Sequence, residues 1–218
     1  MLSCHVVTLR RNQSMPSRNP LPRKMAFKII FWSCLLAVLA YLTYQELTVV
    51  KDSYSMQIEI PAKRSDVFRV LADPELFPLK IHPLCVGVSS ITRSPEQDGS
   101  KALQFINHER VPLLPLLNIS QMITFQVNLT VIEENAIIQN KANLMGGILQ
   151  LKQHWYVADS KNGSGDETLL KHHFEFTTVR ILSRFVKRMS LVVHNNMLRN
   201  IRQYFVETSQ GPNDNIST

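Results

Sequence analysis

The sequence predicts an α+β domain in which a seven-stranded antiparallel sheet curls around one long C-terminal helix. Three observations lead there. A strand-like stretch near residue 54 runs into two short helical segments; six more strand-like stretches, separated by turn residues, fill residues 86–177; and Ile181–Thr208 carries a long amphipathic pattern without Gly or Pro. A sheet with one apolar face must cover that face, and the terminal stretch is the only segment large enough to do so.

In "YSMQIEI", Tyr54–Ile60, the residues Met56, Ile58 and Ile60 alternate with Gln57 and Glu59, the period of a half-buried strand that Pro61 ends. Ser65 is placed as a helix N-cap with Asp66 in the first turn. Val67, Phe68, Leu71 and Ala72 follow at helical spacing. Asp73-Pro74 stops that helix, because the residue before proline is driven out of the α region. A second short helix is expected over Glu75–Leu79, with Pro83 closing the segment.

The six expected strands are Val86–Arg93, Leu103–Val111, Met122–Glu133, Ile137–Leu144, Leu149–Ala158 and Thr168–Thr177. Most of the connections between them have ordinary turn compositions, such as "SPEQDGSK", "EENA" and "SKNGSGD". "VPLLPLLNI", Val111–Ile119, is different: a connection this apolar packs over a core or lines an opening. In the final stretch Leu182, Phe185, Met189, Val192, Val193, Met197, Ile201 and Phe205 form the expected buried face, with Arg184, Lys187, Arg188, Arg199 and Arg202 mostly off it. At about 1.5 Å per residue the helix is roughly 42 Å long, enough to cross the sheet. Residues 210–218 have the composition of a disordered tail.

Charge is distributed unevenly. Of the 24 Lys and Arg, six (Arg10, Arg11, Arg18, Arg23, Lys24 and Lys28) precede Ile29 without an acidic partner, which leaves 18 against 17 Asp and Glu in the body. A nearly neutral body lacks the basic stripe of a nucleic-acid-binding fold and argues against that partner. Behind the basic leader, residues 1–24, the run "IIFWSCLLAVLAYLTY", Ile29–Tyr44, has no charge. Read with its flanks as residues 25–47, it is expected to be a transmembrane signal-anchor, with Lys28 snorkelling and the body lumenal or extracellular. Two alternatives stand beside this reading: a signal peptide cleaved near Ala40, and mitochondrial import of an Arg- and Ser-containing leader that lacks acids. Asn118, Asn128 and Asn162 begin glycosylation sequons in the body, Asn162 in the polar turn "KNGSGD". Only Cys85 of the three cysteines falls in the body, and no zinc or redox spacing occurs. No nucleophile motif, paired-carboxylate signature or phosphate-binding glycine loop points to catalysis, and no cofactor or metal is expected.

"IPAKRSDVFRVLADPELFPLKIHPLCVGV", Ile60–Val88, resembles the opening of the START-like superfamily, which includes polyketide cyclases, START lipid-transfer domains and coenzyme Q-binding proteins. The likeness rests on Pro61, Ala62, Val67, Phe68, Leu71, Asp73, Pro74, Pro78, His82 and Pro83. The order of elements from residue 54 to 209 is the helix-grip order. The sequence departs from many members at Leu79 and Lys80, where an aromatic often stands, and in its expected anchor. The resemblance implies a cavity between sheet and C-terminal helix that holds a lipid, sterol, isoprenoid or other apolar molecule. An enzyme acting on such a substrate, or a mitochondrial coenzyme Q-binding protein, are alternatives.

On strand parity the expected contributors to that cavity are Phe105 and Phe125, then Leu151, Gln153 and Trp155, then His172, Phe174 and Phe176, with Met189 and Val193 from the helix. The same residues would equally make a solid core. His172 shares the inward parity of Phe174 and Phe176, which makes it the ionisable group expected inside, either as a hydrogen-bonded core histidine or in an acid–base role. Gln153 is suited to orienting a ligand's polar end or to satisfying a strand neighbour.

Overall fold

A computed structural model describes residues 23–94, 100–114, 119–160 and 166–209. The leader before Arg23, the tail from residue 210 and the sequons at Asn118 and Asn162 lie outside them. Two compact units result, divided after Tyr44. In the first, the charge-free run belongs to helix α1, Arg23–Leu47. Among the described residues no helix is long and apolar enough to cross a membrane, so the expected transmembrane span finds no support.

The second unit is the expected sheet and helix. Its strands are β1 (Val49–Ile60), β2 (Cys85–Arg93), β3 (Ser100–Leu114), β4 (Ile119–Ile132), β5 (Ile137–Leu144), β6 (Leu149–Asp159) and β7 (Thr168–Val179). They lie in the order β1-β7-β6-β5-β4-β3-β2, every pair antiparallel. From β2 to β7 the chain is a meander, and only β1 crosses over, pairing with β7. That crossover is made by α2 (Arg64–Ala72) and a single π-helical turn, Phe77–Ile81. Helix α3, Arg180–Ser209, packs on β1, β7 and the π-turn.

Several boundaries move, each for a local reason. β1 starts five residues before the expected Tyr54, because its polar opening pairs with β7 and is held by ions: Lys51 meets Glu175 at 2.7 Å, and Lys187 of α3 donates to Asp52 at 2.8 Å. Ser65 is not the cap of α2. The helix begins at Arg64, with the N–H groups of Asp66 and Val67 both donating to the Lys63 carbonyl. Asp73 ends the helix in the extended conformation that Pro74 demands, and its Oδ1 then accepts the N–H groups of Glu75 and Leu76 at 2.8 Å. This cap delays the second helical segment to Phe77, where it closes with His82 N–H on the Phe77 carbonyl. The apolar connection after Val111 extends β3 to Leu114 and pairs it with β4. Along α3 the buried set is Val186, Val193, His194, Met197, Leu198, Ile201 and Phe205. Val192 and Phe185, expected inside, are exposed, and His194 takes a place in the core instead.

A hydrogen bond ties the helix to the crossover: Asn200 Nδ2 donates to the Ile81 carbonyl at 2.8 Å. Asn200→Ala leaves that carbonyl unpaired and is expected to cost about 1–2 kcal/mol in urea unfolding, with the midpoint lowered and the slope unchanged.

Candidate functional site: a cavity between sheet and helix

The inner face of the sheet is built by parity. Odd-numbered residues of β3, β4 and β6 and even-numbered residues of β5 and β7 point towards α3. β4 pairs with β3 along its whole length but with β5 only from Val127 to Ile132, so the β3–β4 hairpin projects beyond the end of β5. The sheet cannot close on α3 there. A cavity of about 580 Å³ remains between the inner face, the π-turn and the Phe185–Met197 part of α3. It opens where its lining residues are exposed, at Phe185 and at Met145 in the β5–β6 turn. That turn runs through the left-handed conformations of Gly146 and Gly147 (φ 65° and 92°), which glycine adopts without a Cβ clash.

Seven of the ten residues that parity and resemblance single out line this cavity: Phe105, Phe125, Leu151, Gln153, Phe174, Met189 and Val193. Trp155, His172 and Phe176 do not. Their parity is inward as expected, but at their depth other elements sit directly on the sheet. Trp155 is 1% exposed, stacked on His172 at 3.9 Å and met edge-on by Phe77 of the π-turn. Phe176 packs with Phe174 and Val186. His172 is fully buried, and among the described residues neither ring nitrogen has a hydrogen-bond partner. Burial, aided by the nearby His173 and His154, pulls its pKa down to about 3, so it is neutral at physiological pH. Its ring packs against Trp155 and His194 and does not line the cavity. His194, which lines the cavity, meets His172 edge-on, and its Nδ1 is 2.5 Å from the Tyr54 hydroxyl. Burial again, with His172 and His82 nearby, holds His194 well below its usual pKa.

Polar side chains reach the cavity from several elements, among them Asn140 of β5, Gln153 of β6 and Ser190 of α3, and a hydrogen-bonded group lies on β3 and at the end of the π-turn, where Glu109, Asn107 and His82 line the wall. Asn107 Nδ2 donates to Glu109 Oε1 at 2.7 Å, and the Cys85 thiol donates to Asn107 Oδ1 at 3.0 Å. His82 Nε2 faces the same Glu109 oxygen at 3.5 Å. Leu84 N–H donates to His82 Nδ1 at 3.3 Å, which places the proton of the neutral ring on Nε2, directed at Glu109. Burial pushes Glu109 up to about 7 against the opposing effect of the Asn107 bond, and burial pulls His82 down to about 4. The sequence reading missed Glu109 and Asn107, although the signal was available: in "FINHERV" the inward parity of Phe105 puts Asn107 and Glu109 on the same face.

Neither a protein-family model nor a curated protein sequence matches the chain. Solved structures do. A START superfamily protein from Mycobacterium smegmatis superposes with a TM-score of 0.53 at 14% identity, over 72% of this chain and 98% of that one. The fold is START-like. The START-like arrangement extends to the di-domain ARO/CYC StfQ of the steffimycin biosynthetic pathway (TM-score 0.55, 12% identity, 87% of this chain, 62% of that one). It extends also to truncated norcoclaurine synthase from Thalictrum flavum (TM-score 0.50, 12% identity, 73% and 96%). At these identities the likeness is one of fold. In this chain the START-like fold leaves its space beneath the Phe185–Met197 part of α3, while α2 and the π-turn close the opposite end around Trp155.

Proposed function

We propose that this chain binds, and exchanges, an apolar small molecule in the cavity between sheet and α3. The observation that carries the reading is the cavity itself: about 580 Å³, within the roughly 300–1,000 Å³ of small-molecule sites, with mostly apolar walls and a minority of polar side chains. Burying about 400 Å² of apolar ligand at ~25 cal/mol per Å² contributes on the order of 10 kcal/mol before association costs of several kcal/mol. The resulting micromolar affinity suits exchange better than storage.

Filling the cavity tests this. Met189→Trp, on the wall contributed by α3, is expected to abolish recovery of the apolar molecule that accompanies the purified full-length chain in native mass spectrometry, while the far-ultraviolet circular dichroism is kept. Equal recovery from variant and wild type would place the molecule elsewhere and sink the reading.

Turnover of an apolar substrate in the same cavity is the second reading, favoured by a carboxyl group with a pKa near neutrality facing an imidazole. Such an enzyme would use Glu109 and not the sealed His172. Residence in the secretory pathway is a further proposal. It rests on the sequons, of which Asn128 is exposed on the outer face of β4, and loss of mass on endoglycosidase treatment of the cellular protein tests it against mitochondrial import.

A further inference from the structure

The polar atoms around the cavity discriminate among ligand head groups. Among the described residues no Lys or Arg lines it, and its ionisable groups are Glu109, His82 and His194. A carboxylate or phosphate head relies on cationic partners for charge-assisted hydrogen bonds. Here it would meet a carboxyl group and two imidazoles that burial keeps neutral. His194 already engages Tyr54 through Nδ1. Glu109 is different. Its Oε1 is occupied by Asn107 Nδ2 at 2.7 Å and faces His82 Nε2 at 3.5 Å, which fixes the carboxyl plane. The Cys85 thiol on Asn107 Oδ1 and Leu84 N–H on His82 Nδ1 fix both supporting side chains in turn. Oε2 carries none of these bonds.

On the reading that the cavity holds an apolar molecule, we infer that Glu109 Oε2 is the anchor for the ligand's head, and that the site selects a molecule ending in an uncharged hydroxyl group. A hydroxyl both donates and accepts. It therefore satisfies Oε2 whether Glu109 is ionised and accepting or protonated and donating, and a carboxyl poised near neutrality populates both states. A carboxylate head matches only the protonated state and brings an unpaired charge into an apolar enclosure. An ammonium head matches only the ionised state, and burying its charge is costly unless each of its remaining protons also finds an acceptor.

The test compares decan-1-ol, decanoate, decylamine and decane for displacement of an environment-sensitive fluorophore from the full-length chain at pH 7. Decan-1-ol is expected to bind at least tenfold more tightly than either charged analogue and than decane. Glu109→Leu should remove that advantage while leaving decane affinity within about threefold. Glu109→Gln, whose amide can still donate and accept, should retain most of it, and this variant also serves if the leucine variant fails to fold. Undiminished alcohol preference in Glu109→Leu, or tighter binding of decanoate or decylamine by the wild type, overturns the assignment of the head group while leaving the apolar cavity standing. If decane and decan-1-ol both fail to displace the fluorophore, the cavity reading itself falls, and this inference with it.

Discussion

Trp155→Ala is expected to lower the stability of the folded chain by about 3–5 kcal/mol. Trp155 is 1% exposed, its ring stacks on His172 at 3.9 Å, and Phe77 meets it edge-on at 5.5 Å, so it joins β6, β7 and the π-turn. Truncation removes the largest fully buried side chain of the core and leaves a void that strands and helix cannot collapse to fill. Equilibrium unfolding in urea measures the loss. Trp155→Phe, which keeps an aromatic contact to both neighbours, should recover at least half of it. A loss below 1 kcal/mol for the alanine variant would mean that this end of the domain is not solid.

Acidification from pH 7 to pH 5 is expected to destabilise the protein by at least about 2 kcal/mol, and the sign follows from the buried histidines. His82 and His172 titrate near 4 and 3 in the fold, against about 6.5 in the unfolded chain. Below pH 6.5 the unfolded state therefore binds protons that the native state refuses, and by pH 5 each histidine has cost about 2 kcal/mol. His194, also held down by burial, acts in the same direction. Glu109 opposes them. Raised to about 7, it takes up its proton in the fold before the unfolded chain does, and it returns about 2 kcal/mol over the same interval. The net change corresponds to a fall in Tm of roughly 4–8 °C. Thermal unfolding at half-unit pH steps checks it. His172→Phe, which removes two unpartnered buried nitrogens, should flatten the curve. A Tm that rises on acidification would show that the histidines are not sealed.

The fate of particular residues shows how far the chain's pattern could be read. Alternation in "YSMQIEI" and in Thr168–Thr177 names both strands and their inward faces, because period-2 patterning is a local property of the backbone. The extra residues of β1 were hidden, since Lys51 and Asp52 look like turn residues until Glu175 and Lys187 arrive across the fold. At the site, Phe105, Phe125 and Leu151 were legible as inward-facing side chains, and so were Trp155 and Phe176, which end in solid core. Parity separates inside from outside. It carries no measure of depth along a strand, and depth divides the lining of the cavity from the packing beneath it.

Local chemistry in the chain thus determined the seven strands, the stop at Asp73-Pro74, the long final helix and the direction of nearly every sheet residue, because each depends on neighbours a few positions away. Tertiary structure alone decided where the sheet meets α3 and where it does not. The β3–β4 hairpin outruns β5, leaving the space that Phe125 and Met189 face. The π-turn carries His82 to Glu109, 27 positions further along the chain. Both outcomes depend on the register of distant segments, and the pKa values of Glu109 and His82 depend on how much water that register leaves around them.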